Sequence, residues 1–239
     1  MPFEKDKTMP GSNALRPLGL VAAAESQPSA SAKAPRPARS VKKRKFYEMD
    51  RVTRATAAGW EVTNEAAVSP GGGGIYRRPE GRRGFRECAA MPLLRFDSRL
   101  GRDVRDMEPI GQFWLVSDRA KRVLEQVDPD AFVFLECRVE LRDGSEGPRY
   151  WLCDVVRVLD ALNEPESEAK IKKNDRNEKI YTTIGNEVLI FKEDVIGSHH
   201  IFRMLYCDST VICDDAVKDA CKAAGLKGWS FRDTSRHSF

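Results

Sequence analysis

SDRAKRVLEQVDPDAFVFLECRVELRDG, residues 117–144, carries two hydrophobic periods in one stretch. Ala120, Val123, Leu124 and Val127 recur at i, i+3, i+4 and i+7, with Arg119, Lys121, Arg122 and Glu125 on the other side. That spacing makes an amphipathic helix, which Ser117 is placed to cap. Pro129 stops it. Val133, Leu135, Cys137, Val139 and Leu141 then alternate with Glu136, Arg138 and Glu140, the mark of a half-buried strand, and Asp143-Gly144 supplies a turn. A helix followed directly by an alternating strand predicts an α+β fold, with a largely antiparallel sheet and a few amphipathic helices.

Working toward the C-terminus, Tyr150–Leu159 is apolar on both faces apart from Asp154 and Arg157, as expected of a strand covered on both sides. Residues 164–179 are nearly all polar and read as a surface loop or a frayed exposed helix. Ile180–Ile184 and Glu187–Phe191 flank Gly185-Asn186, a pair that suits a two-residue hairpin turn. His200–Tyr206 offers another strand, and Trp229 with Phe231 a short last one. Between these, Asp214 is placed to cap a helix whose buried stripe is Val217, Ala220, Cys221 and Ala224, with Asp215 in the positive first turn. Gly225 ends it, and Leu226 follows where a Schellman cap would fold it back on Cys221.

Toward the N-terminus the pattern weakens. Residues 46–112 form a poorly defined N-terminal part of the folded unit, in which Tyr47, Trp60, Tyr76, Phe85 and Phe96 can join a core. Gly71–Gly74 lacks the Gly-Lys-Ser/Thr ending of a phosphate loop. Residues 1–45, rich in Ala, Ser, Pro and Lys, read as a disordered basic tail, leaving 113–239 as the α+β domain. The tail holds ten Lys and Arg against three acids, so the overall charge of +4 belongs to it and the remainder is mildly acidic. Lys42-Lys43-Arg44-Lys45 closes the tail as a solvated run, with only weak, salt-sensitive attraction for nucleic acid.

No apolar run approaches membrane-spanning length. Leu18–Ala24 is too short, and too rich in Pro and Ala around it, for a cleaved signal. Six cysteines without a CxxC pair predict a reduced, cytoplasmic protein with mostly buried thiols. A catalytic or metal centre is not indicated, and no cofactor is expected. His199 and His200 are adjacent and, on a strand, point to opposite faces, one at an edge and one in the core. Cys207, Cys213 and Cys221 are spaced for packing rather than zinc, and there is no Gly-x-Ser-x-Gly elbow. A hydrolase would have to recruit His199 or His200.

SDRAKRVLE (117–125), YWLCDVVRVLDAL (150–162), HHIFRM (199–204) and CDDAVKDACKAAGLKGWSFRD (213–233) closely resemble the immunity protein 11 family of bacterial polymorphic-toxin systems. The resemblance covers about residues 111–233 and is most specific in the last segment. It implies a non-catalytic antidote that binds and neutralises a cognate toxin protein encoded nearby, without membrane association. The lysine-rich stretch around Lys170, Lys172 and Lys173 lies outside the recognised pattern. If the toxin is a nuclease with a basic cleft, the net −4 from Phe113 onward would speed association. Candidate contact residues are Asp118 and Asp219 on the two helices, Glu164, Glu166 and Glu168 in the acidic loop, and Trp229, which suits a core equally well.

Overall fold

The computed structural model describes residues 43–52, 56–70, 75–183 and 187–237. In chain order these give strands β1 (Phe46–Arg51) and β2 (Trp60–Val62), one turn of helix α1 (Glu65–Val68), and β3 (Leu93–Phe96), β4 (Met107–Ile110) and β5 (Phe113–Ser117). Helix α2 (Asp118–Val127) leads to β6 (Phe132–Leu141), β7 (Tyr150–Val155), β8 (Val158–Leu159), β9 (Lys170–Lys173) and β10 (Lys179–Thr182). Then come α3 (Glu193–Ile196), β11 (Ile201–Met204), β12 (Cys207–Asp214), α4 (Asp215–Ala223) and β13 (Trp229–Asp233).

Two large sheets, in the orders β2-β3-β6-β7-β5-β4 and β13-β1-β12-β11-β8, and the two-stranded ribbon β10-β9 carry these strands. Among the described strands only the pairs β3–β6 and β8–β11 are parallel. The fold is therefore α+β, with mixed, mainly antiparallel sheets outweighing the helices. Strand alternation explains why so many segments look apolar on both faces. Along β7, Tyr150 and Leu152 enter a core with Leu94, Phe113 and Leu115, while Cys153 and Val155 enter a second core with Trp114, Ala120, Leu124, Val217 and Cys221. Along β1, Tyr47 and Met49 join that second core, and Phe46 joins a third with Phe191, Phe202 and Ile212. The facing sides of the sheets thus share one interior with α2 and α4.

Both caps form as the residues dictate. Ser117 Oγ accepts from Ala120 N at 3.2 Å, and Asp214 Oδ1 accepts from Ala216 N at 3.0 Å and Val217 N at 3.4 Å. At the end of α4, Gly225 sits at φ +64° and Leu226 N donates to Cys221 O at 3.0 Å, the six-to-one bond of a Schellman turn.

Four expectations need correction. Residues 164–179 are not all loop or frayed helix, since they hold strand β9 and the start of β10. Tyr150–Leu159 is not one strand: it breaks before Arg157, whose guanidinium turns to Asp128 Oδ2 at 2.5 Å and Ile201 O at 3.2 Å, so β7 and β8 join different sheets. Strand β10 pairs with β9, not with residues 187–191, because Asn174 builds a competing turn by accepting from Arg176 N at 3.0 Å and Glu178 N at 2.9 Å. Residues 187–191 pack elsewhere, Leu189 N donating to Thr234 O and Asn163 N to Ile190 O, each at 2.8 Å. His199 and His200 precede β11 and are both half-buried, so neither takes a strand face. Gly185-Asn186, Gly71–Gly74 and residues 1–42 of the expected tail lie outside the described residues.

Candidate partner-binding surface

The most exposed regular element is strand β9 of the ribbon β9–β10. Its register runs from Lys170 opposite Thr182 to Lys173 opposite Lys179, and all four β9 residues are exposed. The other strand is anchored. Tyr181 is buried, packs edge-on against Tyr206 with ring centroids 5.4 Å apart, and donates through its hydroxyl to Glu164 Oε1 at 2.6 Å. Lys179 pairs with the same carboxylate and lies 4.4 Å from the Tyr206 ring centre and 5.1 Å from that of Tyr181. That ion pair is the main reason the Lys179 pKa is raised and the Glu164 carboxyl is held below its usual range. Beyond this clamp, Lys170, Lys172, Lys173 and Arg176 have no carboxylate at ion-pair distance among the described residues.

The candidate residues fall in three places. Glu164, Glu166 and Glu168 sit together at the root of the ribbon: Glu164 is the clamp, Glu166 is exposed, and Glu168 accepts from Val188 N at 3.1 Å and lies 3.4 Å from His237 Nε2. Asp118 and Asp219 belong to α2 and α4, which pack on each other. The Asp118 carboxylate is engaged by Arg122 at 2.6 Å and Trp151 Nε1 at 3.3 Å; the Arg122 bond is the largest cause of its lowered pKa. Asp219 is 69% exposed, with Lys218 at 3.9 Å. Trp229 is placed in the core, 8% exposed and edge-on to Trp114 with ring centroids 5.8 Å apart.

Several residues suited to chemistry are committed to the fold. Asp214 Oδ2 accepts from Arg44 Nε at 2.8 Å and lies 2.8 Å from His200 Nδ1, while its other oxygen caps α4. Arg44 also donates to Gly197 O at 2.7 Å and to His199 O, so this member of the basic run grips the fold instead of facing a phosphate backbone. Burial pushes the thiols of Cys137 and Cys221 up to about 12, and those of Cys153 and Cys213 well above their ordinary 9.0. Such thiols stay protonated and behave as small hydrophobes.

Among the described residues no helix is long and apolar enough to cross a membrane. Compared with known families, residues 45–236 match the immunity protein family Imm11, a span that takes in every element from β1 to β13. The chain belongs to the Imm11 family. No curated protein matches it in sequence.

The Imm11 span extends the resemblance read from 111–233 back over β1 to β4, where the sequence pattern was weakest. In this Imm11 chain β1 is an interior strand although it reads FYEMDR, because its outlier Glu48 is neutralised by Arg232 of β13, Nε donating to Oε2 at 2.9 Å. The ribbon was missed for the opposite reason: neither face of β9 is covered, so no apolar alternation marks it. The readable trace was its turn, Asn174 to Asn177, the latter at φ +61°.

Proposed function

We propose that this Imm11 chain is a non-catalytic, cytoplasmic immunity protein that binds a toxin protein encoded nearby and neutralises it. The observation that carries the reading is family membership across residues 45–236. It is supported by the commitment of Asp214, His200 and the buried cysteines to capping and packing, which leaves a surface as the chain's working part. On that surface Glu166 and Asp219 are the candidates open to a partner, with Asp118, Glu164 and Glu168 reachable only by exchanging their present partners. Trp229 would contribute from within, by holding the sheet edge.

The test is capture of the full-length chain from its native host, a high-salt wash, and mass spectrometry of what remains. One stoichiometric protein encoded next door, whose expression alone kills the host and whose killing is abolished by co-expression of this chain, is the expected result. No retained protein, or killing that co-expression leaves untouched, overturns the reading.

A further inference from the structure

We infer that the free edge of β9 is the docking site for an extended, acidic segment of the partner protein, which adds to the ribbon as a third strand. The inference rests on the neutralisation reading for the identity of that partner, but not for the chemistry of the site. Four observations meet there. Strand β9 pairs with β10 on one side only, and among the described residues no backbone hydrogen bond reaches it from the other. In an antiparallel pair alternate residues aim N–H and C=O away from the partner strand, so half of β9's backbone groups are available to an incoming chain.

The second observation is charge. Residues 170–179 hold five cations (Lys170, Lys172, Lys173, Arg176 and Lys179) against Asp175 and Glu178, and of these cations only Lys179 is ion-paired among the described residues. Lysines on an edge strand also discourage self-association, but that role does not explain the third observation, Ile171, which is 52% exposed between two of them. An apolar side chain flanked by lysines on a free edge matches a strand that alternates acidic and apolar residues. Fourth, the ribbon is pre-ordered by the clamp of Tyr181, Glu164 and Lys179, so docking costs little conformational entropy. A nucleic acid fits less well. Asp175 and Glu178 occupy the ribbon tip, where a phosphate backbone would meet them, and β9 carries no aromatic ring for a base to stack on.

Amide hydrogen exchange on the full chain tests this, with a Glu-Val-Glu-Val-Glu-Val peptide as probe and duplex DNA as the competing one. The peptide is expected to slow exchange at two of the four β9 amides by about tenfold or more. In the variant K170E/K172E/K173E, with an unchanged melting temperature, that protection should vanish. Exchange unaffected by millimolar peptide, or slowed by DNA and not by peptide, overturns the inference. The co-expression assay is scored separately. A triple variant that still rescues the host as well as the native chain overturns this docking site and leaves neutralisation standing. Failure of the native chain to rescue overturns neutralisation, while the exchange result still decides the site.

Discussion

Asp154 on β7 and Arg203 on β11 bridge the two large sheets: Arg203 Nη2 donates to Asp154 Oδ1 at 3.2 Å, and both residues are buried. Arg83 completes the unit, its Nε 3.0 Å from Asp154 Oδ2, while Gly84 N donates to the same oxygen at 2.8 Å. Arg203 spends its other donors on Val155 O at 3.0 Å and Asp208 O at 2.8 Å. Burial, followed by the nearby Arg83 charge, brings the Arg203 pKa down to about 10. Removing the acid takes the carboxylate from the buried Arg203 and from the half-buried Arg83, so Asp154→Ala is expected to cost about 3–5 kcal/mol, measured by urea unfolding. A loss below about 1 kcal/mol would show that water reaches the pair.

Two glycines with positive φ separate conformational strain from collision. At Gly225 a Cβ would meet nothing within 4 Å, so Gly225→Ala pays only for the left-handed backbone, about 1–2 kcal/mol. At Gly228, φ +117°, a Cβ would collide with the Met107 carbonyl of β4, whose N holds the glycine's own loop by donating to Lys227 O at 3.0 Å. Gly228→Ala is expected to cost more than about 3 kcal/mol. Equal melting temperatures for the two variants would contradict this geometry.

Acid should loosen the fold through Asp128. Burial raises the pKa of this carboxyl, but hydrogen bonds from Arg157 and His200 N outweigh it and leave it below the ordinary 3.8. A carboxylate with a depressed folded pKa stabilises the fold above its unfolded value, and that contribution fades as pH falls through the folded one. Asp128→Asn is therefore expected to be less stable than the native chain at neutral pH, with the gap closing below about pH 4. A gap constant from neutral to acid would assign the loss to packing instead.

Thiol chemistry gives an independent check of the cores. All six cysteines are free; Cys137, Cys153, Cys213 and Cys221 are buried, whereas Cys88 and Cys207 are half-buried. A disulfide reagent is expected to titrate at most two thiols per native chain and all six in guanidinium. Fast reaction of four or more in native buffer would mean that the interior shared by α2 and α4 opens readily.

What could be read from the sequence was periodic and local. Helices α2 and α4 were legible because each buries one face and its cap sits within three residues of the groups it satisfies, and strand β6 because its second half buries Cys137 and Val139 on either side of the exposed Arg138. Asp154 and Arg157 were visible as polar intrusions in an apolar run. Their partners were not, since Arg83 is 71 residues from Asp154 and Asp128 is 29 from Arg157. Of the surface candidates, sequence located the acidic segment 164–168 but not its use, because Glu164 is committed to Lys179 and Tyr181 only once the ribbon has formed.

Strand β1 lies between β12 and β13, with Tyr47 opposite both Cys213 and Asp233. On the ribosome, then, the strand that joins β13 to the rest of the five-stranded sheet is made before both its neighbours and must wait for them until nearly everything after it has been synthesised. Such long-range closure slows folding. A chain interrupted before Trp229 would leave β1 unpaired on one side. The five-stranded sheet is therefore complete only after β13 has been made, with a delay set by translation and by closure of β13 on β1.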